Sequence, residues 1–343
     1  MIKISIENDA PELNSISLFL PQLPKYHKLI SKVYKSKIVY VKQYNDGEVT
    51  HVLPMAIVHY PLLGRKIVAM PYDGSFGNVI CLKESELSNS FYAFIKKYAK
   101  ENKIKYIEIR SHGEDKQLKN AGFIEDISLI ISDVDLDKVY TQNKYIKKRK
   151  KNNKLAARYG TIVEISHKYK DMKKFYRIMS KNMRSYGTPM YPYKYFKLLW
   201  NEYYESGNML LIKGIYKGKM VSGLILLISG KKAVLKYSAA INKFINKRLY
   251  PTMKWYAMDI CRAYGCEVIN MGTSFIDDKG LISAKECLGA TTTPLVSYTW
   301  NIYKKNKSLT YYQSKYSWLI KLWKYQPLWL SQKLGGLFWR WFC

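Results

Sequence analysis

The chain repeats itself, and that constrains its fold more than any single motif. "KIVYVKQYNDGEVTHVLPMAIVHY" (37–60) and "NMLLIKGIYKGKMVSGLILLISG" (208–230) each read as strand, tight turn, strand. Asn45-Asp46-Gly47 and Lys217-Gly218 supply the turn chemistry. Farther on, "FYAFIKKYAKENKIKYIEIRS" (91–111) and "MKWYAMDICRAYGCEVINMGTS" (253–274) each read as a helix, a break and a strand. The matched features keep their order at an offset of about 160–170 residues. A hairpin, a further strand, a crossover helix and a parallel strand make one α/β unit. The sequence therefore predicts two such units in tandem, with mixed sheets flanked by helices. The expected division is 1–142, 143–315 and a tail, 316–343.

Between the two units lies "NKYIKKRKKNNKLAARYG" (143–160), with eight Lys and Arg and no acid. Residues 144–158 contain no Gly or Pro, and Gly160 stands where a helix C-cap belongs, so the run is predicted to be an ordered helix. The whole chain of 343 residues carries a net charge of +31. A field of that sign favours an anionic partner: nucleic acid, an anionic membrane surface or a phosphorylated substrate. Within the run, Lys147, Arg149 and Arg158 are the candidate phosphate contacts, Arg through bidentate pairing and Lys as a point charge.

Several chemistries have no motif here. GxxxxGK[ST], a strand-linked GxGxxG and GxSxG are all missing. The five His residues show no HxH or HExxH spacing, so no metal is expected. Five Cys without a CxxC suit a reduced, cytoplasmic protein. The first residues lack the apolar core of a signal peptide, and the most apolar run, 220–229, is about half a membrane span.

After Trp300 the texture changes. Residues 316–343 hold five of the eight Trp, interrupted by Lys321, Lys324, Lys333 and Arg340 and expected to break at Pro327 and Gly335-Gly336. Such a segment suits short helices lying in a membrane interface, or a helix packed on the domains. The expectation is peripheral contact with the inner membrane face through 316–343.

Three blocks resemble one family. "THVLPMAIVHYPLLGRKIVAMPYDGSFGNV" (50–79), "YKDMKKFYRIMSKNMRSYGTPMYPYKYFKLLW" (169–200) and "MDICRAYGCEVINMGTSFIDDKGLISAKECLGATTTPL" (258–295) are similar, in order, to blocks of the FemAB family. That family comprises the Fem-type peptidyltransferases and their exopolysaccharide-associated relatives. The Gly-Thr-Pro-x-Tyr-Pro at 187–192 is the most specific element. The resemblance implies two tandem GNAT-like domains, and acyl or aminoacyl transfer to an amine of a cell-envelope or surface-polysaccharide precursor.

The implied donor is aminoacyl-tRNA ahead of acyl-CoA, because the loop "NKFINKRLYP" (242–251) has no Gly to cradle a pyrophosphate. No tightly bound cofactor is implied, and the partner is an anionic substrate, either tRNA or a diphosphate-linked sugar precursor. Lys285 is the implied catalytic residue, a cation for the tetrahedral oxyanion. Tyr72, Asp73, Arg184, Tyr191, Thr273 and Ser274 are the further implied substrate contacts.

The sequence also departs from the family pattern. Thr273 stands for the Arg of Gly-Arg-Ser, Ala284 for the Phe of Phe-Lys, Leu288 for the Trp of Trp-Gly, and Tyr250 near a usual Asn. These departures imply an altered substrate or lost activity. Two alternatives stand beside transfer: a non-catalytic nucleic-acid-binding protein, and a catalytically silent, membrane-associated partner in envelope assembly.

Overall fold

A computed structural model describes residues 1–13, 17–60, 64–70, 73–302 and 317–339. The first unit runs β1 (Ile2–Glu7), α1 (Pro24–Tyr34), β2 (Lys37–Asn45), β3 (Glu48–Tyr60), β4 (Gly64–Ala69), β5 (Ile80–Cys81), α2 (Phe91–Glu101), β6 (Ile104–His112), α3 (Lys116–Asn120) and β7 (Ile124–Asp135). Two helices follow, α4 (Leu136–Thr141) and α5 (Asn143–Arg158). The second unit runs β8 (Thr161–Ile165), α6 (Tyr169–Tyr186), α7 (Tyr193–Tyr203), β9 (Met209–Tyr216), β10 (Lys219–Ser229), β11 (Lys232–Ala240), α8 (Leu249–Ala263), β12 (Val268–Phe275), α9 (Lys279–Glu286) and β13 (Ala290–Asn301). The tail contributes α10 (Ser317–Tyr325) and α11 (Leu328–Phe338).

The two hairpin turns form as their residues dictate. Asp46 and Gly47 have φ of 49° and 88°, and Lys217 and Gly218 have 48° and 71°. Positive φ at both central positions gives the turn a twist that matches the strands it joins. The basic run is helical over Asn143–Arg158, and Gly160 follows at φ 67°, in the left-handed conformation that ends helices.

All the strands except β5, which pairs with β3, form one path: β1-β2-β3-β4-β6-β13-β7-β12-β11-β10-β9-β8. The path is the same from either end if the units are exchanged, β1 for β8 through β7 for β13. Its centre shows that each unit gives its last strand to the other. β13 lies between β6 and β7, antiparallel to both, and β7 pairs with β12. The 142/143 division thus falls between α4 and α5, while the sheet crosses it without interruption.

The three largest buried clusters among the described residues clad this sheet. Phe175, Phe196 and Leu199 of α6 and α7, with Tyr26 and Ile30 of α1, cover one face of β9–β11. Trp255, Met258 and Tyr145 of α8 and α5 cover the other. In the first unit, Phe91 and Ile95 of α2 pack on Val41, Leu53 and Ile107, with Val296 and Tyr298 of β13 completing that core. Burying one such aromatic or aliphatic side chain contributes about 1.5–3 kcal/mol. These layers cover the faces of the sheet, and the candidate site lies at its centre.

Gly335 and Gly336 do not break the tail helix, contrary to expectation; both lie inside α11. A Cβ at Gly335 would come within 2.3 Å of the Met190 carbonyl oxygen. The glycines are there for close approach of α11 to the 188–192 segment. No helix among the described residues is long and apolar enough to cross a membrane.

Candidate functional site

The parallel strands β11 and β12 pair only from Lys232 to Val234 and from Val268 to Asn270, and then part. β12 is also out of step with β7 between Asn270 and Thr273, with Gly272 at φ 73°. The parting and the bulge open a cavity of about 380 Å³. It is lined by Leu235–Ser238 of β11, Met271–Thr273 of β12, Lys254 of α8, and Leu281 and Lys285 of α9. Met179 and Met183 of α6, Tyr191, Arg110 of β6 and the Asp73–Phe76 loop close it. Both units contribute.

Lys285 is buried and moored to the bulge. Its Nζ donates to the carbonyl oxygens of Gly272 at 2.8 Å and Thr273 at 3.2 Å. An ammonium has three N–H groups, so one remains for a ligand. Burial, with Lys254 nearby, pushes Lys285 down to about 8, against the pull of Asp133 and Asp278. Asp278 caps α9, accepting from the Leu281 N–H at 3.0 Å. Asp133 accepts from Asn270 Nδ2 at 2.7 Å, and burial raises its pKa.

A second polar group faces the first. Lys236 Nζ is ion-paired with Asp73; the Asp73 side chain is buried and that of Lys236 largely so. Burial pushes Lys236 down, to about 7. The other Asp73 oxygen accepts from the Tyr26 hydroxyl, which in turn meets the Tyr195 hydroxyl at 2.8 Å. The Tyr237 ring lies against those of Tyr195 and Tyr191, with centroids 6.0 and 5.1 Å away. Burial raises Tyr191 to about 12, so these phenols stay protonated and act as donors.

Arg110 pairs with Glu108 at 2.8 Å. Burial alone would raise Glu108, but Arg110 and Lys66 hold it below the ordinary carboxylate value.

Four of the sequence-derived residues thus converge on the cavity: Lys285, Thr273, Tyr191 and Asp73. Ser274 alternates with Thr273 along β12; it is buried, outside the cavity lining, with a hydroxyl that makes no hydrogen bond. Arg184 is drawn to the tail, donating to the Gln326 carbonyl at 3.1 Å. Arg149 is tied to Asp259 at 2.6 Å and lies over the Tyr140 ring. Lys147 and Arg158 are exposed on α5, and none of the three lines the cavity. Tyr72 lies outside the described residues.

Sequence reasoning missed Lys236, Lys254 and Tyr237. The available signal was a Lys inside the otherwise apolar "AVLKYSAA" strand (233–240).

The tail reaches this site from outside. Trp339 stacks on Tyr191 with ring centroids 4.2 Å apart, and its Nε1 donates to the Pro189 carbonyl at 2.9 Å. Gln332 donates to Ser180 Oγ at 3.0 Å. The opposite side of the tail exposes Leu322, Tyr325, Trp329 and Leu337, with Lys321, Lys324 and Lys333 among them.

No family model matches the chain, and no curated protein matches it in sequence. Solved structures do match. FemX is 18% identical at a TM-score of 0.63, with 88% of this chain and 94% of that one covered. The C-terminal domain of a putative lysylphosphatidylglycerol synthetase from Agrobacterium fabrum is 12% identical at 0.57, covering 87% and 92%. A tandem GNAT protein from the clavulanic acid biosynthesis pathway is 9% identical at 0.53, covering 89% and 100%. The fold is therefore that of the tandem GNAT proteins, in the form that FemX has.

Proposed function

We propose that the chain transfers an acyl or aminoacyl group, from aminoacyl-tRNA, to an amine of a cell-envelope or surface-polysaccharide precursor at the inner membrane face. The amine nitrogen attacks the ester carbonyl. A C–N bond forms, the C–O bond breaks, the amine loses a proton and the departing hydroxyl gains one. The observation that carries this reading is the mooring of Lys285, which leaves one N–H for the oxyanion that develops on the carbonyl oxygen. Likeness to FemX and to the synthetase domain supports the class of reaction.

The departure at Thr273 does not disturb that mooring, since Lys285 is held by backbone carbonyls rather than by side chains. Thr273 reshapes the cavity wall instead, which favours altered substrate choice over lost activity. Lys147 and Arg158 act at longer range, drawing a polyanionic substrate to the surface. The exposed side of the tail, four apolar residues among three Lys, has the composition of a surface that docks on anionic lipid.

Mass spectrometry of envelope precursors from a strain lacking the protein tests the transfer. Loss of one acylated or aminoacylated species names the acceptor, and an unchanged set of precursors refutes the reading. For docking, sedimentation with anionic vesicles should fall on removal of 316–343; equal sedimentation refutes it.

A further inference from the structure

Four cationic side chains line the cavity, and their counter-charges are unequal. Lys236 has Asp73 and Arg110 has Glu108. Lys254 has no ion pair or hydrogen bond among the described residues, and Lys285 is bonded only to neutral carbonyls. Asp133 and Asp278 act on Lys285 only from beyond ion-pair distance, and each carboxylate is already engaged, by Asn270 and by the α9 N-terminus. Two ammonium groups that repel each other in one partly desolvated cavity are unfavourable unless something anionic joins them.

We propose that Lys254 anchors a phosphate monoester group of the substrate beside Lys285. Charge selects this class. Two uncompensated ammonium groups in one small cavity call for two charges on one group, and a phosphate monoester carries about −1.5 to −2 at neutral pH, whereas a carboxylate or an RNA phosphodiester carries one and a diphosphate diester spreads its two over two phosphates. Size agrees: about 380 Å³ is near the small end of ligand sites and holds a phosphate with a compact body. Lys254 keeps all three N–H groups for the phosphate oxygens, so the remaining N–H of Lys285 stays directed at the reacting carbonyl. The subsite deepens the transfer reading by naming a substrate group, but its test needs no transfer.

Inorganic phosphate is titrated into the full chain by calorimetry at fixed ionic strength. Saturable binding should weaken about 10- to 100-fold in Lys254→Met and be kept in Lys254→Arg. Lys100, an exposed residue of α2, is the control for the basic surface: Lys100→Met should bind as the wild type does. Lys254→Gln serves if Lys254→Met does not fold. Acetate at the same concentration should bind far more weakly. Lack of saturation, an equal loss in Lys100→Met, or acetate binding as tight as phosphate would each overturn the proposal. Glucose 1-phosphate and vesicles containing phosphatidic acid then distinguish a soluble ester from a lipid headgroup as the source of the phosphate.

Discussion

Both units run two parallel strands side by side and then let them part, with opposite results. In the first, the β4–β6 ladder ends at Val68 and Glu108, and the chain's own 73–77 segment fills the space beyond. The Gly77 carbonyl accepts from Arg110 N–H at 3.2 Å, and a Cβ on Gly77 would come within 2.8 Å of the Ala69 carbonyl oxygen. In the second, the β11–β12 ladder ends at Val234 and Asn270, and the space beyond is the cavity. Parted parallel strands offer a site only where no neighbouring segment plugs them. Here the plug of the first unit has become a wall for the second, because Asp73 and Phe76 line the open cavity.

The largest expected effect lies where plug and cavity meet. Lys236→Met leaves the buried Asp73 carboxylate without its cation, and such a loss costs about 3–5 kcal/mol. Urea unfolding reads this as a lower midpoint with an unchanged slope; a midpoint equal to the wild type's would separate Asp73 from Lys236.

Next is Lys285→Ala. Transfer should drop about 10²–10³-fold with little change in unfolding, since a single oxyanion donor is lost. Transfer at the wild-type rate would remove Lys285 from the chemistry. The pH dependence sharpens this point. Lys285 sits at about 8 when folded, below its ordinary 10.5, so between those values the unfolded chain holds more protons. Its contribution to stability therefore rises with pH across that window, while transfer falls above about pH 8 as the donor loses its charge. The difference between the wild type and Lys285→Met isolates the stability limb, and a difference that declines from pH 8 to 10.5 contradicts the assigned direction.

The smallest effect tests the plug itself. Gly77→Ala forces the added methyl against β4, at about 1–3 kcal/mol, and should leave the second unit's cavity able to bind ligand. Unchanged stability would show that the 73–77 segment is loosely seated.

Much of this was legible in the sequence, for local reasons. The turns at Asp46-Gly47 and Lys217-Gly218, the helix ending before Gly160 and the repeat of hairpin, helix and strand all follow from residues close together in the chain. Lys285, Thr273, Tyr191 and Asp73 were picked out by resemblance and meet at one cavity. The exchange of β7 and β13 was not legible, because an alternating strand records which face it buries and not which edge it joins. Lys236 and Lys254 were hidden for a different reason. In a chain with 57 Lys and Arg, one more Lys carries little information until its burial is known. Arg149 shows the converse: its charge reads as unpaired in the sequence, but it forms an ion pair with Asp259 of α8, far along the chain.

The exchanged strands also set an order of events during synthesis. Until residues 290–301 have been made, the facing edges of β6 and β7 have no partner between them. The first unit therefore waits for the last strand of the second. The nascent chain carries open strand edges through most of its elongation, a state prone to wrong pairing. Once β13 is seated, each unit closes the other's sheet, and neither can unravel at the centre without opening both.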